Sequence, residues 1–114
     1  MRFERELLKG VAPVVVLEVL SRGAMYGYEL SEAIERRSEQ ILTLGRGTLY
    51  PLLYNLEGKG LVRAWEEEQE NGRTRRYYEL TGKGKKYLAA QKEQLRQLQD
   101  AVGLVFGWAR PAGA

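Results

Sequence analysis

The chain has 114 residues, of which 44% are apolar and 29% charged, which suits one folded domain and excludes a disordered tail. It holds neither Cys nor His, so disulfides, thiolate metal sites, most metalloenzymes and most triad hydrolases are excluded, and no metal or cofactor is expected. The net charge of +3, from 18 basic and 15 acidic residues, is too mild to establish a nucleic-acid partner by itself.

The longest apolar stretch, residues 14–17, or 11–20 if Pro13 and Glu18 are tolerated, is far short of the roughly 20 residues that span a bilayer. The first six residues carry acids and lack a small-residue cleavage site, unlike a secretory signal. The expectation is a soluble cytoplasmic protein with no membrane partner.

Taken in chain order, residues 14–20 are apolar and read as a helix, with Pro13 at its first turn and Gly23 as its stop. Leu7, Leu8 and Val11 precede it as a helical arm suited to a partner chain. A second helix is expected over residues 26–37, where Leu30, Ala33 and Ile34 form one buried stripe. A third is expected over residues 46–58. Leu49, Leu52, Leu53 and Leu56 make its apolar face, while Gly47, Pro51, Tyr54, Asn55 and Gly58 point the other way. Pro51 deletes a helical hydrogen bond and calls for a place near the first turn or a local kink.

The period then changes. Residues 61–69 and 73–80 flank Asn71-Gly72, a pair suited to a type I′ hairpin turn. Alternation along the second strand turns Tyr78 and Leu80 to the core. Tyr77 reads as a cross-strand packing partner. The last helix starts near Thr81 as N-cap. Leu88, Leu95, Leu98, Val102 and Val105 follow a coiled-coil-like seam, which implies a second chain. The tail, with Pro111 and Gly113, is expected to fray.

Two helices joined by a turn and followed by a twisted hairpin outline a winged helix-turn-helix. In that module the second helix of the pair enters the major groove and the hairpin lies along the phosphates. Between Gly72 and Lys86 stand six basic residues and one acid, a local charge of +5, which attracts duplex DNA by counterion release. Glu66, Glu67, Glu68 and Glu70 oppose this. Either they face away from DNA and pair with Arg73, Arg75 and Arg76, or the wing is a weaker contact than its arginines suggest.

Four blocks carry a resemblance: Tyr26-Gly27-Tyr28-Glu29-Leu30, Arg46-Gly47-Thr48-Leu49-Tyr50-Pro51-Leu52-Leu53, Leu56-Glu57-Gly58-Lys59-Gly60-Leu61-Val62, and Arg75-Arg76-Tyr77-Tyr78-Glu79-Leu80-Thr81-Gly82-Lys83-Gly84. In order and spacing they resemble the PadR family of transcriptional regulators, in its small subgroup with a single C-terminal helix. The resemblance implies a mainly α fold with a small β-hairpin, a winged helix-turn-helix followed by a C-terminal dimerisation helix. It divides the chain into a DNA-binding domain (1–81), a dimerisation helix (82–107) and a flexible tail (108–114).

The resemblance also implies a homodimeric repressor on a pseudo-palindromic DNA operator. Tyr26 and Tyr50 would reach phosphates. Thr48, Pro51 and Tyr54 would approach base edges, beside Arg46, Gly47 and Asn55. Lys59, Arg73, Arg75 and Arg76 would hold the DNA backbone. The dimer would form through the first and last helices, that is Leu7, Leu8 and Val11 with Leu88, Leu95, Leu98, Val102, Val105 and Phe106. A small hydrophobic effector would sit near Val102, Phe106 and Trp108. This chain has Gly45-Arg46 where relatives often have a polar cap, and Leu95 where many carry Trp. Two other classes stand beside this one. A protein-interaction module would use the acidic strand to dock a basic partner. An enzyme would need an opposed carboxylate pair or a phosphate loop, and the sequence has neither.

Overall fold

The computed structural model describes residues 3–108. The residues of the expected tail from 109 onward lie outside them. The order is α1 (Arg5–Leu20), β1 (Met25–Tyr26), α2 (Gly27–Arg37), α3 (Arg46–Gly58), β2 (Val62–Glu68), β3 (Thr74–Leu80) and α4 (Gly82–Phe106). The three strands form one antiparallel sheet in the order β1-β3-β2. This is the winged helix-turn-helix, with a long terminal helix added.

The helices follow their apolar stripes. Leu30, Ala33 and Ile34 of α2 and Leu49, Leu53 and Leu56 of α3 are buried. They meet Val16, Leu17, Val19 and Leu20 of α1, and Tyr78, Leu80 and Leu88 close the core from the sheet and α4. α3 keeps its expected bounds and continues through Pro51. The lost N–H would have met the carbonyl of Gly47, which is exposed and left to solvent.

Three expectations are corrected. Pro13 does not open a short helix; it lies inside a single 16-residue α1 that begins at Arg5. Its ring removes one bond to the exposed Lys9 carbonyl, and the burial of Ala12, Val14 and Val16 on either side carries the helix across. The second helix begins one residue late, because Tyr26 is taken into β1, opposite Tyr77. The hairpin turn is not type I′. Gly72 has φ +81° and Asn71 does not share that region. Gly72 N–H donates to the Gln69 carbonyl (2.9 Å), and Gln69 N–H to the Arg73 carbonyl (2.7 Å). The loop therefore has three residues, with one glycine in the left-handed region. The Asn71 side chain accepts from Arg73 N–H (3.0 Å) instead of requiring a left-handed backbone of its own.

Thr81 caps α4 as expected, its hydroxyl accepting from Gly84 N–H (2.9 Å). The same hydroxyl donates to the Gly60 carbonyl (2.7 Å), and Lys83 Nζ donates to the Lys59 carbonyl (2.8 Å). The start of α4 thus holds the end of α3 and the entry to the wing.

Candidate nucleic-acid interface

α3 offers one solvent face. Arg46, Gly47, Thr48, Tyr50, Pro51, Tyr54, Asn55 and Lys59 are all exposed, and Tyr54 is 79% exposed. The apolar stripe below holds the helix by Leu49, Leu53 and Leu56, so this row points outward by the helical period alone. Gly45 is the N-cap and supplies no side-chain bond. Thr48 stands at the third helical position, with its N–H bonded to the Gly45 carbonyl (3.0 Å). The first turn therefore presents backbone donors, a hydroxyl and the Arg46 cation, with no acid beside them.

α2 starts next to this face. Tyr26 N–H donates to the Glu29 side chain (3.2 Å), which fixes the entry to the helix. The Tyr50 ring packs on Gly27, where any side chain would overlap it. Tyr26 is half-buried, and its ring lies edge-on to Tyr77 with centroids 5.7 Å apart. The Arg75 guanidinium sits 4.3 Å from the Tyr26 ring centroid. Tyr77 in turn stacks on Trp65 at 5.8 Å, so it is a cross-strand packing partner as its position suggested.

The wing splits its arginines between two faces. Arg75 lies with Tyr77 on the outer face. Arg76 shares the inner face with Tyr78 and Leu80, the latter two buried. There Arg76 donates through Nη2 to both Glu57 oxygens (3.0 and 3.2 Å), and Nη1 lies 3.7 Å from Glu66. Burial works against the Arg76 cation, but the Glu57 hydrogen bond and charge outweigh it and raise its pKa. Burial likewise pushes the Tyr78 phenol up, against the pull of Arg76. Of the acidic run, Glu66 pairs with Arg76, and Glu67 accepts from Trp65 Nε1 (3.4 Å). Arg73 stands exposed beside the turn.

The structure thus brings the α3 candidates together with Tyr26 and Arg75, and turns Arg76 toward an acid of α3. Glu57 is a residue the sequence reading missed. The signal was available in part, since strand alternation puts Arg76 on the face of Tyr78; the reach of α3 to that face was not. Tyr28, 58% exposed and stacked near Tyr26 at 6.5 Å, was also missed.

The residues expected to pair two chains divide. Leu88 is buried in the core of this chain, 6% exposed, because α4 rests there on its own domain. Leu8, Val11, Leu95 and Val102 are half-buried. Leu7, Leu98, Val105 and Phe106 are exposed. Phe106 and Trp108, expected near an effector, meet edge-to-face at 4.9 Å, both open to solvent. Among the described residues no helix is long and apolar enough to cross a membrane, and no group of acids is placed to hold a metal.

The family model described as the transcriptional regulator PadR-like family matches residues 16–90. A Mycobacterium tuberculosis protein, transcriptional regulator Rv3488, is 30% identical over 103 residues, 90% of each chain. The Escherichia coli transcriptional regulator YqjI is 31% identical over 101 residues, 89% of this chain; the chain spans 47% of its length. Among solved structures, a PadR family transcriptional regulator from Eggerthella lenta superposes with a TM-score of 0.79 at 31% identity, covering 89% of this chain and 86% of that one. A transcriptional regulator from Clostridium thermocellum reaches 0.80 at 26%, covering 86% and 95%. With the exposed α3 face, the wing and these matches in agreement, the chain belongs to the PadR-like family of transcriptional regulators.

Proposed function

We propose that this regulator binds a specific DNA duplex as a homodimer and represses the genes beside it in the cytoplasm. The observation that carries the reading is the exposed row of α3, small and hydroxyl-bearing, flanked by Arg46 and Lys59 and joined at its side by Tyr26 and Arg75. Gly47 and Pro51 let the helix approach a groove closely, and the Pro51 and Tyr54 faces suit thymine methyl groups. Tyr26, Tyr50, Lys59, Arg73 and Arg75 serve the phosphates. Residues 1–81 are the reading unit, and α4 from residue 82 joins it to a second copy. Two such units place their reading helices roughly 34 Å apart on a pseudo-palindrome.

A gel shift with duplex from the protein's own upstream region tests this. A specific shift that weakens steeply from low to high salt supports it. An affinity unchanged by salt, or no shift at low salt, sinks it. The latter result favours the second reading, a winged-helix interaction module, which rests on the exposed Glu66, Glu67 and Glu68 along edge strand β2. An apolar effector bound near Val102, Phe106 and Trp108 would quench or shift tryptophan emission; lipophilic cations are the first probes.

A further inference from the structure

Three acid–arginine pairs stand directly opposed across β2 and β3. Arg63 and Glu79 are bonded at 2.8 Å, and Glu66 lies 3.7 Å from Arg76. The third pair, Glu67 and Arg75 on the outer face, stays open, and no salt bridge joins the two. Instead the Arg75 guanidinium lies 4.3 Å from the Tyr26 ring centroid, and Glu67 accepts from Trp65 Nε1 at 3.4 Å.

The difference has its source two residues along on the same face. Trp65, Tyr77 and Tyr26 are partners in register across β2, β3 and β1. Their rings form a continuous row. Trp65 lies nearly parallel to Tyr77 (14°, 5.8 Å), and Tyr77 meets Tyr26 edge-on (5.7 Å). Both ends of the row are held. Arg63, tied to Glu79, sits 4.9 Å from the Trp65 ring centroid. Tyr26 is fixed at the start of α2, where its N–H occupies the Glu29 carboxylate (3.2 Å). A guanidinium resting on a ring face keeps its in-plane N–H donors free for phosphate. Pairing with a carboxylate uses those donors up, as Glu57 does for Arg76.

We propose that Trp65 is a positioning residue for DNA binding: through Tyr77 it holds the Tyr26 ring under Arg75, so that Arg75 keeps its donors for phosphate. The indole N–H adds to this by engaging Glu67, the acid that stands opposite Arg75. The proposal rests on the DNA-binding reading and deepens it. Trp65 itself belongs to edge strand β2 and needs no contact with the duplex.

The test is a double-mutant cycle on the full chain, read as affinity for duplex from its own upstream region at several salt concentrations. Trp65 is half-buried on an edge strand, so Trp65→Val should fold. It should weaken binding about fivefold, the range of one aromatic pair, and lower the salt slope by about one unit, as Arg75→Ala does. Trp65→Phe keeps a ring in the row and should stay within about twofold of the parent. In the Arg75→Ala background, Trp65→Val should cost nothing further, because the residue through which it acts is gone. Tyr77→Leu breaks the row at its centre and should behave as Trp65→Val does, which keeps the test open if that variant does not fold. An equal loss with and without Arg75, an unchanged salt slope, or a Trp65→Phe protein as weak as Trp65→Val overturns the positioning role while leaving DNA binding intact. A parent that shifts no duplex at low salt overturns both.

Discussion

The hydroxyl end of the Tyr50 ring of α3 packs against Gly27 at the start of α2, so close that a Cβ at residue 27 would fall 2.8 Å from two ring carbons. Two helices of the DNA-binding motif are thereby registered through a residue with no side chain. Tyr50 is 41% exposed, so the ring can swing aside into solvent. Gly27→Ala should therefore cost only about 1 kcal/mol of stability, at the low end for overpacking. It should weaken operator binding more than it weakens the fold. Chemical denaturation and a DNA titration of the same variant separate the two effects.

Gly84 makes the instructive contrast. A Cβ there would meet the Leu61 main chain, whose carbonyl carbon lies at 3.0 Å, and Leu80 Cδ1 at 2.7 Å. Backbone held by the Thr81 bonds to residues 60 and 61 cannot swing away. Gly84→Ala should cost about 3 kcal/mol, read as a lower denaturation midpoint. A stability within error of the parent would show that the α4 start does not clamp the wing entry.

The Glu57–Arg76 pair restrains a wing cation that would otherwise be available to phosphate. Both side chains are partly exposed, so the pair itself contributes at most about 1 kcal/mol. Glu57→Gln should tighten DNA binding and steepen its salt dependence, since it frees a positive charge and removes a negative one. Arg73→Ala should do the reverse and lower the salt slope by about one unit. Binding isotherms at several salt concentrations check both signs.

Glu18 of α1 is held below its ordinary carboxylate pKa, first by the hydrogen bond from Lys92, against the cost of its burial, with Arg37 adding to the pull. A folded-state pKa below the unfolded one adds stability above the unfolded value, and that stability is lost as pH falls through the folded value. Glu18→Gln should thus destabilise the protein near neutral pH and converge with the parent in acid. Denaturation at neutral pH and below the carboxylate range provides the comparison. The variant should also loosen α4, because Lys92 is the polar tie between the terminal helices.

Local chemistry by itself determined much of this protein. The leucines at 49, 53 and 56 specify both that α3 is a helix and which side faces water, because period and burial are written in neighbouring residues. Thr81 as a cap and Tyr78 and Leu80 as inward strand residues are legible for the same reason. What only tertiary structure decided are pairings between segments far apart in the chain. β1 is two residues long and exists because β3 offers it a ladder. α1 crosses Pro13 because core burial on either side outweighs one lost hydrogen bond. Gly27 serves Tyr50, and Glu57 holds Arg76 across 19 residues of sequence. Propensity is a property of a few neighbouring residues, whereas such contacts depend on how whole elements pack. The motif therefore marked α3 as the helix with an open polar face, and the fold alone showed that Arg76 is tied to Glu57 while Arg75 lies over the Tyr26 ring.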